Sequence, residues 1–313
     1  WQFDAAGPVN SSPVITEGYV YVGSEDHTLY VLDLEKGEKV FSVASGSAIN
    51  SSPAVVEGVV YFGSEDNYLW AVDLAAGSPR WKFKTKGDIN SSPIVVEDLV
   101  VFGSEDGFLY AVDAASGAER WKFKTGSEVN SSPAVSQGLV MVGSYDGNLY
   151  AVDAKTGEGA WSYKTGGVVF SSPAVIGGIA YVGSGDGFIY AVEAEAGQMV
   201  WRFKTGGAII SSPAAAAGLV IIGSADGRLY AVNTKSGAEK WNFKTGGSVQ
   251  SSPLVAQDTV YITSKDGFLY ALDLSSGYEK WKYESKATLF SSPAAGKGIV
   301  VFGSEEGHVF AIH

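Results

Sequence analysis

Cysteine is absent from the 313 residues, histidine occurs three times and methionine twice. Without cysteine the chain has no disulfide and no thiolate chemistry, although that absence leaves its compartment open. No apolar run approaches the roughly 20 residues that a membrane-spanning helix needs. No segment sustains a 3.6-residue hydrophobic period, so helices are not expected. Basic residues are also in deficit: 22 Lys and Arg against 34 Asp and Glu give a net charge of −12 and a pI near 4.7. Nucleic-acid partners are therefore not expected, because phosphate binding needs clustered cations. The lysines that are present gather in "WKFKT" stretches, where they read as edge-strand guards against sheet-to-sheet pairing. There is no signal peptide, and a chain opening on Trp1 rather than Met reads as a processed or trimmed piece.

What the sequence has in abundance is repetition. Ser-Ser-Pro recurs with its proline at Pro13, Pro53, Pro93, Pro133, Pro173, Pro213, Pro253 and Pro293, a spacing of 40 residues without insertion or deletion. A fixed period of this length outranks any domain count taken from length alone. Within each unit four short runs rich in Val, Tyr, Trp and Phe, such as "PAVV", "VVYFG", "YLWAVD" and "RWKFK", are separated by turn formers. Asp106-Gly107 and its equivalents suggest tight hairpins in which both central residues take positive φ. Four strands per repeat of 40 residues predict propeller blades, and the chain is expected to be all-β.

Eight repeats of 40 residues need 7 more than the 313 present, and the last unit stops at His313 after its third strand. The missing fourth strand is at the other end of the chain, in "WQFDAAGPV". A closed eight-bladed β-propeller of four-stranded antiparallel blades follows, with blade 8 completed by residues 1–9. The blades start at about 10, 50, 90, 130, 170, 210, 250 and 290, within a single domain spanning 1–313. An open array would instead need polar caps at its ends.

Little in the sequence points to chemistry. Asp26, Asp66, Asp106, Asp146, Asp186, Asp226, Asp266 and Glu306 could form a carboxylate ring, but Asp before a hairpin glycine is favoured for its local backbone hydrogen bonding. "GSGDGF" at 183–188 has the look of a phosphate loop but opens no helix. His27 and His308 fall at adjacent hairpins and have no metal-ligand spacing, and His313 stands alone. The serines recur identically in every repeat, whereas a catalyst needs one distinct site.

"AVDAASGAERW" (111–121), "AVDAKTGEGAW" (151–161) and "AVNTKSGAEKW" (231–241) resemble the tryptophan-docking motif of pyrroloquinoline-quinone-type (PQQ-like) repeat propellers. The resemblance covers the whole chain. It implies that Trp1, Trp81, Trp121, Trp161, Trp201, Trp241 and Trp281 pack between neighbouring blades, with Phe41 in the remaining register. The family's dehydrogenases are much longer; they place a quinone against a tryptophan and often a disulfide, hold calcium with Glu and Asn, and use a catalytic Asp. No residue here can be matched to those roles, so no catalytic residue, no metal and no cofactor is expected. The family's non-catalytic members include the scaffold lipoprotein of outer-membrane β-barrel assembly and extracellular sensor domains of bacterial Ser/Thr kinases. They imply a periplasmic or extracellular setting.

Differences among the repeats carry what functional signal there is. The residue before Ser-Ser-Pro, expected at the mouth of a central channel, runs Asn10, Asn50, Asn90, Asn130, then Phe170, Ile210, Gln250, Phe290. The neighbouring hairpin runs Glu25, Glu65, Glu105, Tyr145, Gly185, Ala225, Lys265, Glu305. An apolar crescent beside an amide and acidic one is the composition of a binding surface. The expected function is a non-enzymatic binding or scaffold propeller, monomeric and not inserted in a membrane, that takes a protein or small ligand on this face. A small-molecule sensor domain with a pocket at the channel mouth is the alternative. A quinone-dependent dehydrogenase and an engineered consensus repeat protein stand behind it.

Overall fold

Each repeat folds as an up-and-down meander. In blade 1 the strands are Val14–Thr16, Tyr19–Gly23, Thr28–Asp33 and Lys39–Ala44, paired in that order. The second and third strands are near-continuous apolar runs because neighbouring sheets cover both of their faces, while the outermost strand alternates exposed and half-buried residues. A computed structural model describes all 313 residues and contains 32 strands in eight four-stranded antiparallel sheets, with no helix. The chain is an all-β eight-bladed propeller.

Blades 2 to 7 occupy residues 54–84, 94–124, 134–164, 174–204, 214–244 and 254–284. Blade 8 combines Ala294–Gly296, Ile299–Gly303 and His308–Ile312 with Gln2–Asp4, which pairs through Gln2 with Phe310, Phe3 with Val309 and Asp4 with His308. The N-terminal residues therefore supply the fourth strand that the C-terminal repeat lacks. Two compact units make up the chain: unit one is Trp1–Lys124 with Ser291–His313, and unit two is Thr125–Phe290.

Packing within each unit runs from blade to blade. In unit one, Tyr61, Leu69 and Ala71 of blade 2 share a core with Val100, Phe102, Tyr110 and Val112 of blade 3. In unit two, Tyr181, Ile189 and Trp201 of blade 5 pack on Val220, Ile222 and Tyr230 of blade 6.

Ser-Ser-Pro has a structural reason at each serine. The first, Ser11 in blade 1, exchanges two 2.8 Å hydrogen bonds with the backbone N–H and C=O of Gly23. The second links blades: the amide of Ser12 donates to Ser52 Oγ and that of Ser52 to Ser92 Oγ, at 3.0 and 2.9 Å. In unit two Ser132, Ser172 and Ser212 repeat this ladder towards Ser172, Ser212 and Ser252.

The turns differ from the sequence expectation in one respect. At Asp106-Gly107 only the glycine has positive φ (83°), and its N–H bonds the Ser104 carbonyl at 3.1 Å. Paired positive φ values occur instead in the first hairpin of the repeat, as at Glu57-Gly58 (49° and 74°) and Ala217-Gly218 (50° and 77°). The primed turn that suits a two-residue hairpin is thus between the first and second strands.

Candidate functional site

The link entering each blade and the hairpin between its second and third strands meet at one end of the sheet, and an aspartate fastens them. Asp186 Oδ2 accepts from the Gly166 amide at 2.8 Å and from the Tyr190 hydroxyl at 2.6 Å, while Oδ1 accepts from the Phe188 amide at 2.9 Å. The link-to-aspartate bond recurs at 2.6–3.0 Å for Asp26, Asp66, Asp106, Asp146, Asp226 and Asp266. Burial pushes the Asp146 and Asp186 carboxyls up, but the hydroxyl and amide donors outweigh it and hold both below the usual carboxylate range. Burial and the facing carboxylate push the Tyr150, Tyr190 and Tyr230 hydroxyls up to about 12. These carboxylates are consumed in architecture. The lysines of the outer strand join them in unit two, where Lys164, Lys204 and Lys244 donate to the carbonyls of Asp146, Asp186 and Asp226.

Above this frame stand the residues that vary. In unit one the Nδ2 groups of Asn10, Asn50 and Asn90 donate to Glu25, Glu65 and Glu105 at 2.8, 3.0 and 3.1 Å. The Oδ1 atoms of these three asparagines are enclosed and accept nothing. Partial burial, with Asp88, Glu25 and Glu105 nearby, raises the Glu65 carboxyl, and burial with Glu105 and Asp66 raises that of Asp88. This rim is polar, acidic and internally bonded.

In unit two the same register holds Asn130, Phe170, Ile210, Gln250 and Phe290. The Phe170 ring meets Tyr145 edge-on at 5.7 Å, and both Phe170 and the nearby Val168 are exposed. Gly185 makes room for Val168, whose Cγ2 would stand 2.9 Å from a Cβ there. The Lys265 ammonium lies 4.2 Å above the Phe290 ring. The sequence differences between repeats thus correspond to a change from bonded amides to half-covered apolar side chains.

Five of the tryptophans hold neighbouring blades by one geometry. Trp1, Trp81, Trp161, Trp201 and Trp241 each donate Nε1–H to a carbonyl of the next blade, at 2.8–3.1 Å. The eighth tryptophan, Trp70, stands in the third-strand register of the tyrosines and donates to Asp66. His308 is tied to Asp4 at 2.8 Å and to Gln2 at 3.1 Å, and His27 occupies a turn at φ 72°. No group of three or more His, Asp or Glu side chains is arranged to hold a metal ion. The serine ladder was not foreseen; its only signal is the invariance of the second serine.

The geometry defines a four-strand-per-blade propeller whose serines, aspartates and tryptophans serve the frame, the class of PQQ-like repeat β-propellers. A family profile described as "Beta-alanine-activating enzyme, beta-propeller" matches residues 96–313, and the chain belongs to that propeller family. The profile "Outer membrane protein assembly factor BamB" matches residues 1–107. No curated protein matches the chain. Among solved structures, the computationally designed Ika8 protein is similar with a TM-score of 0.89 at 17% identity, over 99% of this chain and 97% of that one. BamB from Moraxella catarrhalis is similar with a TM-score of 0.86 at 18% identity, over 99% and 98%. At such identities the likeness is one of fold.

Proposed function

We propose that the chain is a non-enzymatic, monomeric binding propeller that receives a protein partner on the rim of unit two, with Phe170, Ile210 and Phe290 as its anchors. The observation that carries this reading is an exposed phenylalanine in a register where three other blades carry asparagine bonded to glutamate. Exposed aromatic side chains are an aggregation liability unless a partner covers them, and buried aromatics supply most interface energy. The invariant serines and aspartates are engaged in backbone bonds, so the reading assigns them no catalysis. A periplasmic or extracellular setting belongs to the proposal, supported by the match to the outer-membrane assembly factor profile over residues 1–107.

Photo-crosslinkers placed at 170, 210 and 290 are expected to capture one common protein in the source cells, while one placed at 137 captures none. The triple variant Phe170→Asn, Ile210→Asn, Phe290→Asn is expected to bind that partner at least about tenfold more weakly, close to 1.4 kcal/mol, with its fold intact. Gln137→Asn, Gln257→Asn and Lys297→Asn, at positive-φ turn positions of the other end that suit Asn, form the control. Equal binding by the two triples would overturn the proposal.

A further inference from the structure

Within each unit, an indole closes the junction between successive blades at all but one place. Besides its carbonyl bond, each of the five indoles lies on the glycine that turns the next blade's third strand into its fourth. A Cβ on Gly37, Gly117, Gly197, Gly237 or Gly277 would fall 2.5–2.8 Å from the ring. The opposing residue on the third strand is alanine, as in Ala71 against Trp81 and Ala191 against Trp201.

The junction between blades 1 and 2 departs from this in its aromatic residue, its acceptor carbonyl and its glycine. Phe41 takes the tryptophan register and pairs with Val31. The Leu74 carbonyl, equivalent to the indole acceptors, receives no hydrogen bond. Tyr61 and Tyr181 donate their hydroxyls to the acceptor carbonyls Ala114 and Thr234 at 3.2 and 3.3 Å. Tyr21, in the same register and almost fully buried, makes no such bond. The Cβ direction of Gly77 meets nothing within 4 Å. An open groove of about 500 Å³ between the two blades is lined in part by Tyr21, Val31, Phe41 and Leu74. Grooves of about 450 and 600 Å³ also lie between blades 5 and 6 and between blades 6 and 7, so the groove alone does not set this junction apart.

We propose that this junction binds a small planar heteroaromatic molecule with a ring N–H, of the indole class. The aromatic and aliphatic walls take the ring faces, the Leu74 carbonyl takes the ring N–H, and the Tyr21 hydroxyl offers a second polar contact. The same fold closes its other junctions with an indole held by an equivalent carbonyl and glycine, which is why this ligand chemistry fits. Glu17, Glu57 and Asp73 at the mouth outnumber Arg80, which Asp73 already pairs at 2.7 Å, so neutral ligands are favoured over carboxylated ones. The site belongs to unit one, shares no residue with the apolar rim of unit two, and does not depend on the partner proposed above.

Indole itself is the probe. Titrated into the ¹⁵N-labelled full chain, it is expected to shift the amides of Phe41, Leu74 and Gly77 saturably and to raise the melting temperature. Phe41→Trp fills the space from within; it should raise the melting temperature of the free protein and abolish the indole shifts. Val31→Met, which narrows the groove from the adjacent strand, should also block binding and serves if Phe41→Trp misfolds. 1-Methylindole, lacking the donor, should bind about fivefold more weakly, the equivalent of one hydrogen bond. Absence of saturable shifts at these amides with millimolar indole overturns the proposal. So does an indole response that survives both filling variants.

Discussion

Asp186 receives two backbone amides and a tyrosine hydroxyl, and an aspartate occupies this position in seven of the eight repeats. Its carboxyl titrates below the usual range in the folded protein, so the stability it contributes is complete above the unfolded pKa and is lost as pH falls through the folded one. Asp186→Asn is expected to cost about 1.5–3 kcal/mol at pH 7, the range for hydrogen bonds to a charged group. Chemical denaturation across pH should show the gap between variant and wild type closing as pH drops below about 4. A gap independent of pH would mean that the charge contributes nothing. The turn role of this aspartate was legible from the glycine that follows it; its long-range bond to the preceding link was not. The sequence also marked Phe170, Ile210 and Phe290 as departures from the repeat, but the Tyr145 and Lys265 side chains that half-cover two of them depend on side-chain direction.

Among the elements, Gln2–Asp4 has the most informative position. It is short, it pairs with His308–Ile312 across nearly the full sequence, and it carries Trp1, whose Nε1 reaches the Leu34 carbonyl of blade 1 at 2.9 Å. The 40-residue period and the count of strands made this pairing legible, because only an exchange of termini completes eight blades. Deleting residues 1–9 should therefore uncover the His308–Ile312 edge and remove one indole junction at once. The expected outcome is a melting temperature lower by many degrees and a concentration-dependent oligomer on size-exclusion chromatography, since an unpaired strand edge recruits another chain. A truncated chain that stayed monomeric at unchanged stability would contradict this. The turn types were less legible. Asp-Gly suits a primed two-residue turn by its preferences, yet here it occupies the turn with a single left-handed glycine, so the dipeptide alone does not give the turn type. Glu57 and Ala217 take positive φ with no residue preference to announce it; the two-residue hairpin imposes it.

For the molecule as a whole, strict repetition made the architecture readable and the function hard to read. Identical repeats fix strand number, order and blade count, while a binding site exists only where repeats stop being identical. No blade has a core of its own: Tyr61 of blade 2 packs with Phe102 of blade 3, and Tyr181 of blade 5 with Ile222 of blade 6. Unfolding one blade therefore exposes the face of its neighbour, and the cost propagates along each unit. We propose on this ground that residues 1–313 behave as a single domain. The expected result in guanidinium chloride is one transition, with tryptophan fluorescence and far-UV circular dichroism coincident. The tryptophans report on the outer strands in both units, from Trp81 to Trp241, so an independent melting of either unit would split the fluorescence curve from the dichroism curve or give it two midpoints. Two midpoints would make Trp1–Lys124 with Ser291–His313 one domain and Thr125–Phe290 another, and the single-domain reading would fall.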